Sequence, residues 1–173
     1  LWNREWLYIG VEMTDSDVVG EAEKDQTYLF GEGDTVELFL HPRTQTYYWE
    51  IYGAVNEKKT GFFFPGRGRL GLPGSKSYRC PGLTVKAACR GTLNDWRDRD
   101  SGWTLEIAVP VKALTEFGAK FDNSEEWSIL LVRYNYSRYL PIWEVSVLPQ
   151  IGSDNPHLYE DYADLDLQAP TDR

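Results

Sequence analysis

The amino-acid sequence predicts an all-β chain, an antiparallel β-sandwich with one short helix. Three observations carry that prediction. Short segments with apolar residues at every second position recur along the chain, divided by turn residues. One of them, 127–136, is apolar on both faces, as a strand covered on both sides must be. Helical spacing is confined to one stretch near residue 113.

The elements follow in order. In 6–13, Leu7, Ile9, Val11 and Met13 form the inward alternation. Gly31-Glu32-Gly33-Asp34 supplies a turn into 35–40, where Val36, Leu38 and Leu40 share a face and Glu37 projects from the other. A strand is expected at 46–52. The segment 60–77 holds five glycines and two prolines and cannot be a strand throughout, but Phe62-Phe63-Phe64 suits half of an extended hairpin packed on the sandwich. Strands are expected next at 83–90 and at 103–109, where Trp103, Leu105, Ile107 and Val109 oppose Thr104, Glu106 and Ala108. Pro110 suits a first helical position, Ala113, Leu114 and Phe117 share a face and Gly118 can cap the end, so a helix is expected at 111–117. The strand 127–136, built around Ile129, Leu130, Leu131 and Val132, is expected to be central. A long loop, 137–162, leads to a last strand at 164–167.

At 173 residues the chain suits one domain with a single large core. It carries 18 basic and 27 acidic residues, for a net charge of −9, which disfavours nucleic acid and anionic membranes as partners. The one small basic patch is Lys58-Lys59 with Arg67 and Arg69. No apolar run approaches the ~20 residues that span a bilayer. Cys80 and Cys89 are separated by mostly extended chain, roughly 25 to 30 Å at ~3.3 Å per residue, so two unpaired, largely buried thiols are expected.

Aromatic residues form 14% of the chain, more than one core requires. A pyranose ring offers a C–H face to flat aromatic surfaces and a rim of hydroxyls to directional hydrogen bonds. Trp2, Trp6, Trp103 and Trp127 lie in strand patterns and are assigned to the core. Tyr28, Phe30, Trp96 and Trp143 lie in or beside turn-rich segments and are the platform candidates. The acidic loop 94–102 offers oxygen ligands at alternating spacing, which makes Asn94, Asp98 and Asp100 candidate calcium ligands. Arg97 and Arg99 would satisfy the same aspartates without a metal. Asp15 and Asp17 form either a second calcium site or a simple turn. The two histidines cannot make a zinc site with two distant cysteines.

Four pieces occur in order: Leu1-Trp2-Asn3-Arg4-Glu5-Trp6-Leu7-Tyr8; Gly33-Asp34-Thr35-Val36-Glu37-Leu38-Phe39-Leu40; Gly91-Thr92-Leu93-Asn94 with Asp100-Ser101-Gly102-Trp103-Thr104-Leu105-Glu106; and His157-Leu158-Tyr159-Glu160-Asp161-Tyr162-Ala163-Asp164-Leu165. With them the chain resembles the family 9 carbohydrate-binding modules and their family 9-like relatives. The resemblance implies a sugar held between two aromatic rings, which it assigns to Phe30 and Trp143, with Tyr28 beside them. Glu37 matches the motif glutamate, and Arg133 could donate to hydroxyls with its planar fork. The alternative for Arg133 is a buried ion pair with Glu37, Glu50 or Glu106. His157 either ties the terminal motif to the sheet or touches ligand.

The resemblance further implies a non-catalytic binder of a glucan- or xylan-type oligosaccharide or sugar end. Structural calcium, residence in a secreted, periplasmic or cell-surface protein, and attachment to a larger exported enzyme go with it. Relatives carry a further N-terminal strand, so residues 1–173 read as a single domain lacking that stretch. Two alternatives compete. Glu37 and Glu106 could be the carboxylate pair of a glycoside hydrolase. Met13 and His157 could be the axial ligands of a haem-binding cytochrome domain with the same sandwich architecture.

Overall fold

Alternating apolar residues make a strand only where two layers can close on them, and here two sheets do so. In a computed structural model describing residues 1–67 and 72–168, the chain runs β1 (Trp6–Met13), β2 (Thr35–Pro42), β3 (Tyr48–Ala54), β4 (Lys59–Phe64), α1 (Leu72–Ser77), β5 (Thr84–Cys89), β6 (Trp103–Pro110), α2 (Val111–Leu114), β7 (Trp127–Asn135), β8 (Glu144–Leu148) and β9 (Ala163–Leu165). Every pairing is antiparallel. A three-stranded sheet has the order β1-β6-β5; a six-stranded sheet has the order β4-β3-β2-β7-β8, with β9 also on β7.

The two sheets enclose the main core. It contains Leu7 and Met13 of β1, Val36, Leu38 and Leu40 of β2, Trp49 and Ile51 of β3, and Trp103, Leu105, Ile107 and Val109 of β6. Trp49 and Trp127 stack across it at 5.8 Å. A second apolar layer covers the outer face of the six-stranded sheet, where Phe39, Tyr48, Tyr52, Phe62, Leu130 and Val132 lie under loops. As a result every residue of β2 and β3 is buried. The central position expected for the 127–136 strand is observed, since β7 pairs with β2, β8 and β9.

The loop expectations need amendment. The Phe62 run does form half a hairpin, β4 on β3, but a short helix, α1, follows it, and Arg69 lies outside the described residues. Strand β8 lies inside the segment read as loop; its mostly exposed residues hide the alternation that a buried face would impose. The helix after Pro110 stops at Leu114, short of Phe117. Trp103 and Trp127 are buried as expected, and Trp2 packs edge-on against Phe121. Trp6 is a correction: with Leu7, Ile9 and Val11 facing the core, alternation turns Trp6 outward beside Tyr8. Cys80 and Cys89 are both free, and burial pushes the Cys80 thiol up to about 12.

Side chains of the three-stranded sheet pack directly on Gly53 of β3. A Cβ there would stand 3.1 Å from Leu105 Cδ2, 3.2 Å from Val85 Cγ1 and 3.3 Å from Ile107 Cδ1. Gly53→Val is therefore expected to overpack the core and cost about 1 to 3 kcal/mol. Chemical denaturation checks this, with a thermal midpoint lowered by roughly 2 to 12 °C.

Candidate functional site

Side-chain alternation places Glu37 of β2, Glu50 and Tyr52 of β3, and Tyr134 of β7 on the outer face of the six-stranded sheet. Tyr134 is the centre of an aromatic cluster. Its ring lies 5.7 Å from Phe30 and 5.9 Å from Trp143, while Phe30 lies 5.7 Å from Tyr28. Tyr136 stacks on Trp143 at 6.1 Å and 20°. Phe30 and Trp143 remain 39% and 42% exposed, so each presents ring surface to solvent.

Trp143 opens into a cleft of about 500 Å³. Val132, Tyr134, Val145 and Val147 line its sheet side, and Gln150, Ser153 and Asp154 of the following loop bring polar groups to it. A buried aspartate holds the supporting backbone. Asp34 accepts hydrogen bonds from Val19 N at 2.7 Å and from Tyr136 N at 2.8 Å, and burial pushes its carboxyl up to about 7. The Tyr136 hydroxyl donates to Phe30 O at 2.6 Å, tying the Phe30 turn to β7.

Beneath the rings, Glu37 and Glu50 are each 2% exposed. Tyr134 Oη donates to Glu37 Oε2 at 2.9 Å, and Tyr52 bonds to both carboxyls, which also bond to each other. Burial raises both carboxyl pKa values, and for Glu50 the neighbouring Glu37 charge adds to it. Two carboxyls this close and this dry hold at least one proton between them near neutrality. His157 Nε2 lies 3.9 Å from Glu50 Oε2, and burial lowers its pKa. At 3.9 Å the contact is too long for a hydrogen bond.

No protein-family model matches the chain, and no curated protein matches it. Solved structures do. A Bacteroides uniformis protein, described as a candidate carbohydrate-binding protein, aligns with a TM-score of 0.67 at 16% identity over 95% of this chain and 74% of that one. A family 9 carbohydrate-binding module from Caldicellulosiruptor kristjanssonii, solved with glucose and with cellotriose, gives 0.61 in both cases. Those alignments have 13% and 12% identity and cover 99% of this chain and 75% and 74% of theirs. The chain has the fold of a family 9 carbohydrate-binding module.

On that module fold, Tyr28, Phe30, Glu37 and Trp143 gather around Tyr134, although Glu37 reaches the surface only through the Tyr134 hydroxyl. His157 sits elsewhere on the same face. Its Nδ1 hydrogen-bonds with the Tyr48 hydroxyl at 2.8 Å and its ring packs edge-on against Phe39, which ties the late loop to the sheet. Trp96 is exposed, and among the described residues no ring packs on it. Arg133 is a correction. As the neighbour of Tyr134 in β7 it points to the opposite face, where Nη2 pairs with Asp15 at 2.9 Å and donates to Thr14 O at 3.1 Å. The ion pair with Glu37, Glu50 or Glu106 is not formed.

The candidate calcium ligands are engaged with protein groups. The Asn94 side chain accepts from Gly20 N and donates to Gly20 O; Asp100 accepts from Val18 N at 2.6 Å and Thr92 N at 2.8 Å. Asp98 keeps one buried oxygen without a partner, Asp17 pairs with Arg138, and Arg97 pairs with Asp95. Among the described residues no group of three or more acidic, histidine or cysteine side chains is placed to hold a metal ion. Of the cleft residues, Tyr134, Gln150, Ser153 and Asp154 escaped sequence reasoning. Tyr134 was legible as the residue of β7 that shares the Leu130 and Val132 face; the loop residues carried no signal.

A carboxyl whose folded pKa lies above its unfolded value binds its proton more tightly in the folded state, so its contribution is full at low pH and is lost as pH rises. For Glu37 the window runs from the ordinary 4.5 to about 7. Stability is expected to fall across that window. Glu37→Gln, which cannot ionise, is expected to flatten the slope and to gain on the wild type by up to about 3 kcal/mol between pH 5 and pH 8. Urea denaturation at both pH values measures it.

Proposed function

We propose that the chain is a non-catalytic carbohydrate-binding module holding a neutral glucan- or xylan-type oligosaccharide, or a sugar end, in the cleft at Trp143. The observation that carries the reading is the half-exposed Trp143 ring, backed by Tyr134 and Tyr136, at the mouth of a cleft with polar groups on its far side. The indole face takes the C–H face of a pyranose. Gln150, Ser153 and Asp154 serve the hydroxyl rim. Phe30 and Tyr28 extend the apolar surface past Tyr134, and Glu37 positions Tyr134 from below. The neighbouring modules with bound glucose and cellotriose support the ligand class. Attachment to a larger exported or cell-surface protein belongs to the same reading.

The geometry speaks against both alternatives. Val36 and Leu38 flank Glu37, Leu105 and Ile107 flank Glu106, and all four point into the sandwich, so the two glutamates project from opposite outer faces. Sheets packed ~10 Å apart leave such a pair beyond the ~5 to 9.5 Å of a glycosidase. Met13 lies between the sheets and His157 on the outer face of the six-stranded one, so they cannot share a haem iron. Among the described residues no helix is long and apolar enough to cross a membrane.

One or two stacked rings offsetting hydroxyl desolvation give micromolar to millimolar affinity. Titration with cellotriose and xylotriose, followed by the amide resonances of Tyr134 and Val147, is expected to saturate in that range. Trp143→Ala is expected to weaken this binding at least tenfold while moving the thermal midpoint by less than about 4 °C, since an exposed ring contributes little to stability. An unfolded variant, or unchanged affinity, would remove Trp143 from the site.

A further inference from the structure

The opposite outer face, on the three-stranded sheet, carries a second hollow. Register sets Tyr8, Ala108 and Thr84 in one row across β1, β6 and β5, and Gly10, Glu106 and Lys86 in the next. These six residues line a groove of about 520 Å³, as large as the cleft of about 500 Å³ at Trp143. Tyr8 is 42% exposed, and its ring stands 6.4 Å from that of Trp6 at a tilt of 30°, so the two form an aromatic ridge on β1. The Glu106 carboxylate has no hydrogen bond or ion pair among the described residues, while Lys86 is held at 2.7 Å by Glu57.

Gly10 decides how the groove is read. A glycine inside a strand weakens it, so its presence calls for a reason. Backbone conformation does not supply one, because Gly10 is absent from the residues with positive φ. Packing does not either: a Cβ at Gly10 would meet nothing within 4 Å, in contrast to Gly53. Close approach of a ligand to the backbone is one of the uses of a strand glycine, and the open space over Gly10 leaves room for it.

We propose that this groove is a second carbohydrate-binding site, which takes a stretch of neutral, linear glycan along the sheet. The Tyr8 ring receives a sugar face, and the small Gly10 and Ala108 let the ring settle onto the strands. Glu106 accepts from vicinal hydroxyls, and Thr84 and Lys86 donate to neighbouring ones. The opposite charges of Glu106 and Lys86 in one row complement a ligand that offers donors and acceptors without net charge. The site stands independently of the Trp143 cleft. Because the two lie on opposite faces of the sandwich, one short chain cannot engage both, and the module would bridge two glycan chains.

The test is a titration of the whole chain with cellohexaose and with xylohexaose, followed by amide resonances. Saturable shifts at Gly10, Lys86 and Glu106 report the groove, and those at Tyr134 and Val147 report the cleft, so failure of one site is told apart from failure of the other. Gly10→Val is expected to weaken the groove at least tenfold, to leave the cleft affinity within twofold, and to keep the thermal midpoint at or above that of the wild type. Absence of groove shifts with both glycans, groove shifts that survive Gly10→Val, or a lowered midpoint showing that folding requires Gly10 would each overturn the proposal.

Discussion

Strands β2 and β3 are buried along their whole length, so any polar side chain on them must be satisfied within the protein or kept neutral. The inner face meets this with Val36, Leu38, Leu40, Trp49 and Ile51, which carry one polar atom between them, the Trp49 Nε1. The outer face carries Glu37 and Glu50, where burial raises both carboxyl pKa values and so favours their neutral forms, and the Tyr134 hydroxyl donates to Glu37. Tyr134 is thereby fixed by its buried end while its ring supports Phe30 and Trp143 near the surface. The exposed platform takes its geometry from a hydrogen bond to a buried carboxyl.

Strand positions were legible in the sequence wherever one face was fully buried, because period-two alternation is then enforced. Thus β1, β2, β6 and β7 fall where the apolar pattern puts them. The same rule, applied strictly, gives the facing of individual residues. It turns Trp6 outward once Leu7 is inward, and Arg133 away from the site once Tyr134 is toward it. Strand β8 and the polar wall of the cleft were not legible, since exposed residues are free of that pattern and the loop takes its place from distant contacts such as Gly152 N to Asp161 Oδ2 at 2.9 Å.

The aspartates at the end of the sandwich show why an acidic motif can be read two ways. Asp34 and Asp100 each accept two backbone N–H groups, and Asp15 and Asp17 meet Arg133 and Arg138. Calcium ligation and loop tethering both require carboxylate oxygens at turn spacing. N–H donors converge on the Asp34 and Asp100 oxygens, and they come from chain segments as far apart as Val18 and Asp100. Spacing within the loop could not reveal it. Burial has a further effect on Asp34: it raises the carboxyl pKa despite two N–H donors, so desolvation outweighs hydrogen bonding there.

On the proposed function, binding at the Trp143 cleft would be governed by how little remains to be ordered. The indole is already held from one side by Tyr134 and Tyr136, so its rotamer freedom is lost on folding rather than on binding. The opposite wall is likewise fixed: the Tyr162 hydroxyl donates to Pro156 O at 2.5 Å, and Asp161 holds Gly152. Such preorganisation lowers the cost of ordering side chains on association. The cost of stripping water from sugar hydroxyls is unaffected by rigidity and is recovered only through directional partners. On the proposed function, Gln150, Ser153 and Asp154 would set which sugar is accepted, while the aromatic surface would set only that a pyranose is accepted at all. Affinity and selectivity would then rest on different parts of the site: the rings on a buried carboxyl pair, the polar wall on a loop.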